Sequence, residues 1–129
     1  MTTQQKPSTS PEAWPAGLVG AWSLHSVREL DADGVLLGEP YGPRPTGRLR
    51  YGPGGDMAVV IPGHAEAPAV AYIGDFDAGR DGLVRHIVHV GLPPFTEDQV
   101  RWARLDGDNL TLATDRERHR RIELHWERA

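Results

Sequence analysis

Five side chains in this 129-residue sequence are of types that could act on a small molecule rather than only pack: Ser26, Tyr51, Tyr72, His86 and Arg101. Each lies in a short run where apolar and polar residues alternate. Carrying the alternation through from Trp22 puts all five on the apolar side of their runs. A few polar groups in an apolar lining are what fixes the orientation of a bound ligand. Arg101 carries the strongest argument, because a buried guanidinium needs a partner and no Asp or Glu falls on the inward side of the central runs in this register. A ligand carboxylate, enolate or carbonyl could supply it. A register one residue off would instead turn Arg101 outward and Trp102 inward, and Val100 with Trp102 also makes a workable inward face. His86, between Val84 and Val88, has the near-neutral titration suited to general acid–base work, or is a satisfied structural histidine. Tyr51 and Tyr72 could donate to a ligand oxygen, or serve as wall packing.

Other chemistries are harder to build. The chain has no Cys, so disulfides, thiolate metal sites and a cysteine nucleophile are all excluded. His86 and His89, three apart on a strand, point to opposite faces. His119 and His125 share a face but lie about 20 Å apart along it. No metal site and no cofactor are expected. Gly52-Pro53-Gly54-Gly55 lacks the following helix and Lys of a phosphate loop, and there is no nucleophile elbow. The run from Arg116 to Arg121 mixes acids with its basic residues and reads as a solvated turn. A formal charge of −4 argues against nucleic acid as a partner.

The elements that must position these residues are short strands. From Leu18 onward the alternation is broken by Gly, Pro or Asp clusters at the spacing of an all-β sandwich or barrel, and no stretch keeps a helical period for three turns. The predicted strands are Leu18 to Leu30, Val35 to Gly38, Gly47 to Tyr51, Met57 to Ile61, Ala71 to Asp77, Leu83 to Gly91, Gln99 to Leu105, Asn109 to Thr114 and Arg120 to Glu127. Hairpin chemistry is clearest at Asp31-Ala32-Asp33-Gly34, Pro53-Gly54-Gly55-Asp56 and Asp106-Gly107-Asp108. Two connections are longer, Pro62 to Val70 and Pro93 to Asp98. Thr96-Glu97-Asp98 could start one helical turn. These two are the expected cavity rims. The segment 1–17 reads as a polar, disordered leader without an apolar stretch for a signal or a membrane span, and 18–129 as one domain, expected in the cytoplasm. Lys6 is the only lysine among many arginines, and with plentiful Ala, Gly and Pro this usage resembles coding in a high-GC bacterium.

The first strand opens Leu18-Val19-Gly20-Ala21-Trp22, a Gly-x-Trp element. It is followed in order by Pro45-Thr46-Gly47-Arg48-Leu49-Arg50-Tyr51, Gly55-Asp56-Met57, Tyr72-Ile73-Gly74-Asp75-Phe76, Val84-Arg85-His86-Ile87-Val88, Gln99-Val100-Arg101, Leu105 to Leu112 and Trp126-Glu127-Arg128. This series resembles the bacterial lipocalin-like domain family from Leu18 to the C-terminus. The resemblance implies a small antiparallel barrel of about 8–10 strands around a cavity, with an Arg of the last strand, Arg128 or Arg121, stacked over Trp22 at a closed end. Relatives often carry two adjacent His in the sixth strand, where this chain has His86 followed by Ile87. The family hosts both binders and natural-product tailoring enzymes, so it implies a scaffold more than an activity.

The inward side adds Leu24, Leu49, Met57, Val59, Phe76, Val88, Leu112 and Leu124, with Ser26, as ligand-binding candidates, and Val90 continues that side of its strand. Arg101, His86, Tyr51 and Tyr72 are the catalytic candidates. Together they suggest a cofactor-free cyclase or isomerase of a small apolar, polyketide-like metabolite, working by proximity and by stabilising charge on a carbonyl or enolate. The alternatives are a non-catalytic carrier with the same cavity, and an interaction module whose interior is filled by side chains. No membrane partner is expected, and the chain is expected to be a monomer or homodimer. A cavity too small for anything beyond water would exclude the first two.

Overall fold

The computed structural model describes residues 15–114 and 120–129. Most of the expected leader, and Arg116 to His119 of the basic run, lie outside those residues. A 3-10 turn over Ala16–Leu18 is followed by nine strands: β1 (Gly20–Leu30), β2 (Leu36–Gly38), β3 (Arg48–Tyr51), β4 (Asp56–Ile61), β5 (Val70–Ala78), β6 (Leu83–Gly91), β7 (Gln99–Asp106), β8 (Asn109–Ala113) and β9 (Arg121–Arg128). Each coincides with a predicted strand to within two residues at either end. All pairings are antiparallel and join sequential neighbours, except the two made by β1 with β3, beside β2, and with β9. The other edge of β1 pairs with β9, which closes eight of the strands into a barrel and leaves β2 as a short extension along the far end of β1. Closure removes the unpaired edges that an open sheet would present.

The turns form for the reasons their residues suggest. The Asp31 carboxylate accepts the backbone N–H groups of Asp33 and Val35, and Gly55 and Gly107 take the positive φ that their hairpins require. Three such tight turns, after β3, β5 and β7, lie at the same end as Trp22. There Trp22 is fully buried, its indole N–H donates to the Leu18 carbonyl, and the Arg128 guanidinium sits 4.1 Å from the ring centroid. Arg128 also donates to the carbonyls of Val19 and Gly17, so one cation fastens the chain entry to the last strand. Arg121 instead pairs with Glu123.

The connections 62–69 and 92–98 lie at the opposite end. The Tyr41 hydroxyl reaches across to donate to the Pro68 carbonyl, and Phe95 packs on the core from the β6–β7 loop. Thr96 to Asp98 is not helical. The Asp98 carboxylate accepts the Val88 N–H, which holds this stretch beside β6 rather than letting it coil.

Besides an irregularity where the short β2 pairs with β1 at Glu29/Leu30, two β-bulges break the strict alternation of the barrel strands. One lies in β1 between Leu24 and Ser26, opposite β9, so that Val27 rather than Ser26 faces the core. Strict alternation would have continued through Ser26 to Arg28 and placed a charge inside the barrel; the extra residue turns both outward. The other adds His89 to β6 opposite the Ile73–Gly74 step of β5, so Val90 is turned outward and exposed. Gly74 is what permits that bulge: a Cβ on it would lie 1.8 Å from the Ile87 carbonyl oxygen.

Candidate functional site

The inner faces of β3, β5 and β6 bring Tyr51, Tyr72 and His86 into one hydrogen-bonded chain. His86 is 2% exposed. Its Nε2 is 2.6 Å from the Tyr51 hydroxyl and its Nδ1 is 2.7 Å from the Tyr72 hydroxyl. Phe76, directly opposite His86 on β5, packs against Tyr51 with ring centroids 4.5 Å apart. The three polar rings are therefore held by apolar neighbours as well as by each other.

Burial and the nearby Arg101 charge both disfavour imidazolium, pushing the His86 pKa down to about 3. The ring is neutral at physiological pH, with one nitrogen donating and one accepting. Only one tyrosine can donate to it, and the other must accept from it. Neither hydroxyl has another partner among the described residues, but only Tyr72 lines the interior cavity, so the arrangement in which Tyr51 donates to Nε2 is the one that leaves the spare hydrogen where a ligand can take it. Nδ1–H then donates to Tyr72, whose own hydroxyl hydrogen is left for whatever lies beside it. Burial raises the Tyr72 pKa to about 12 against the opposing pull of Arg101, and that of Tyr51 well above its ordinary value. Both hydroxyls stay protonated.

Tyr72, His86 and Arg101 line a cavity in the mouth half of the barrel together with Leu49, Val59, Ile61, Val70, Phe95, Leu112, Leu124 and Trp126. Its volume is about 40 Å³. At roughly 10–15 Å³ per enclosed water, that is room for about three water-sized groups, against about 300–1,000 Å³ for pockets that enclose a drug-sized ligand. Two larger hollows, of about 450 and 440 Å³, are surface grooves, the first lined by charged side chains such as Arg28, Arg104 and Glu127. They have no part of the Tyr–His chain.

Arg101 is paired with the inward Val84, and Trp102 beside it is 47% exposed, so the register that turns Arg101 inward is the one adopted. Its guanidinium donates to the Val100 carbonyl and the Gln99 side-chain oxygen. The sequence argument that it requires a ligand as partner is thereby corrected: neutral acceptors in β7 already engage it. Its charge is still felt by all three members of the Tyr–His chain.

Of the apolar candidates, Leu49, Val59, Leu112 and Leu124 line the cavity. Leu24 and Met57 belong to the surrounding core, and Phe76 and Val88 pack on its edge. Ser26 does not reach the interior, because the β1 bulge puts it in the outer groove beside His25 and His125. Val70 and Phe95 fall within the two connections expected as cavity rims, although the sequence singles out neither as a ligand residue, and Ile61, which continues the Met57–Val59 alternation, is not among the candidates. Sequence reasoning placed Trp126 inward without assigning it a ligand role. Among the described residues no three His, Cys, Asp or Glu side chains gather as metal ligands, and His89 is exposed beside Asp75.

The fold and this interior define a small closed antiparallel β-barrel with one polar cluster in an apolar cavity. No protein-family model and no curated protein matches the chain.

Proposed function

We propose that the protein is a small-molecule-binding barrel, lipocalin-like in kind, which takes the oxygen-bearing end of its ligand into the cavity at Tyr72 and Arg101. The observation that carries this reading is the Tyr51–His86–Tyr72 chain, which leaves one hydroxyl hydrogen on the wall of an otherwise apolar cavity beside a cation. Chains of hydrogen bonds polarise one another, so the terminal hydroxyl is a stronger donor than an isolated phenol. The volume accepts a functional group and not a whole polyketide-like molecule. The body of such a ligand would lie at the mouth, against Val70 and Phe95.

A cofactor-free isomerase or cyclase is the second reading, and the same donor supports it: a hydroxyl aimed where an enolate oxygen would form stabilises that charge. His86 would not be the base. Its titration near 3 leaves it a weak one, and both its nitrogens are engaged by tyrosines.

The test uses 4-nitrophenol, whose ionisation is visible in its absorbance. A saturable fall in the apparent pKa of the bound probe, lost or reduced in Tyr72→Phe and Arg101→Met, is expected. A probe that shows no saturable change with the wild-type chain, or the same change with both variants, overturns the reading. For the second reading, deuterium uptake from D2O at the α-carbon of a bound ketone separates an enzyme from a carrier, which returns the ketone unlabelled.

A further inference from the structure

One of the residues that line the cavity carries a second buried donor that the Tyr–His chain does not use. Trp126 is 1% exposed and is one of the residues that line the cavity, yet its indole N–H is buried without a hydrogen-bond partner among the described residues. The contrast with Trp22 is informative: that indole, equally buried, is satisfied by the Leu18 carbonyl. A buried donor left unmade is costly, and native interiors rarely keep one without a use. Trp126 pairs with Leu24 and Leu110 on the two flanking strands, and all three belong to the buried core.

The rest of the wall is one-sided in the same sense. Tyr72 presents a hydroxyl hydrogen, Arg101 presents positive charge, both His86 nitrogens are engaged by tyrosines, and the other lining side chains are hydrocarbon. Among the described residues no carboxylate or amide side chain lines the cavity. A wall of donors and a cation repels ammonium groups and gives an alcohol proton nowhere to go. It suits a group that only accepts and carries negative charge. The volume, about 40 Å³, is that of roughly three water-sized groups, which matches the three non-hydrogen atoms of a carboxylate and is small for a phosphate or sulfonate.

We propose that the indole N–H of Trp126 and the hydroxyl of Tyr72 are the two donors of a carboxylate-binding site charged by Arg101, so that the ligand class is a carboxylic acid with an apolar body. This rests on the reading of the cavity as a ligand site, and it specifies the end group. Each carboxylate oxygen accepts from one of the two donors, and the hydrocarbon body leaves past Val70 and Phe95.

The test is titration of the full ¹⁵N-labelled chain with hexanoate, and separately with hexanol, following the indole N–H resonances. Trp126 is assigned by its loss in Trp126→Phe. Hexanoate is expected to move the Trp126 indole proton downfield saturably while that of Trp22 stays in place, and hexanol is expected to bind at least tenfold more weakly. Trp126→Phe, which keeps a ring in the wall, is expected to weaken hexanoate by about tenfold or more. Saturable hexanoate binding that leaves the Trp126 indole unmoved overturns the role of Trp126 while leaving the cavity a binding site. Equal binding of hexanol overturns the carboxylate class. Absence of binding by both overturns the proposal together with the cavity reading on which it rests. If Trp126→Phe fails to fold, the Trp126 indole is assigned in the wild-type chain by through-bond and NOE connectivities, and the wild-type titration then decides the matter.

Discussion

Holding a neutral histidine between two tyrosines makes the stability of the barrel depend on pH in a defined window. His86 binds a proton in the unfolded chain below about 6.5, whereas the folded chain resists protonation until about 3. Above 6.5 neither state carries the proton and the full stability is present. As pH falls, the unfolded state gains a proton that the folded state does not, and stability is lost at about 1.4 kcal/mol per pH unit until the folded pKa is reached. Between pH 7 and pH 5 this one group removes about 2 kcal/mol, a large fraction of the roughly 5–15 kcal/mol that holds a domain together. Other groups titrate too, so the comparison is with His86→Gln, which keeps a donor and an acceptor between the two hydroxyls but no titration. Urea unfolding followed by tryptophan fluorescence at the two pH values is the assay. The wild-type chain is expected to lose about 2 kcal/mol more than the variant does. Equal losses would refute the reasoning, because His86 would then be carrying its proton in the folded state as readily as in the unfolded.

Three further outcomes test the architecture around the site. Gly74→Ala places a Cβ 1.8 Å from the Ile87 carbonyl, and either the β6 bulge or the local strand must shift; a loss of about 2–3 kcal/mol is expected in denaturant unfolding, and an unchanged midpoint would mean the bulge is not where it is described. Arg128→Ala removes two hydrogen bonds to carbonyls and the cation over Trp22, with an expected cost of about 2 kcal/mol and a shifted Trp22 indole resonance. Trp102→Thr should cost under about 1 kcal/mol because Trp102 faces outward, whereas an inward tryptophan would cost about 3–5 kcal/mol on truncation, so the same unfolding experiment checks the β7 register.

The strands themselves were legible because each is a short alternating run bounded by residues that favour left-handed or φ-fixed backbone, as at Asp31 to Gly34 and Pro53 to Asp56. The inward placement of Tyr51, Tyr72, His86 and Arg101 follows from the same alternation. That the first three touch does not: they come from β3, β5 and β6, and only the curvature of the closed sheet brings their tips together. The bulges were the main hidden feature, since one extra residue inverts every side chain after it. Their traces were present in the sequence. Arg28 falls on the inward side if Ser26 does, an improbable place for a charge, and Gly74 removes a side chain from the inner face opposite the β6 irregularity. Cavity size was not legible at all. It depends on how far Phe95 and Tyr41 fold over the mouth, and loops carry no periodic signal for that.

The central claim is that an oxygen of the ligand sits inside the barrel at Tyr72 and Arg101, and a crystal structure grown with 4-nitrophenolate tests it most directly. The account expects the phenolate oxygen in the cavity within hydrogen-bond distance of the Tyr72 hydroxyl, about 2.5–3.0 Å, with the ring passing Phe95 toward the mouth. A probe found only in the outer groove beside Arg28 and His125, with the cavity closed by its own side chains, would contradict it.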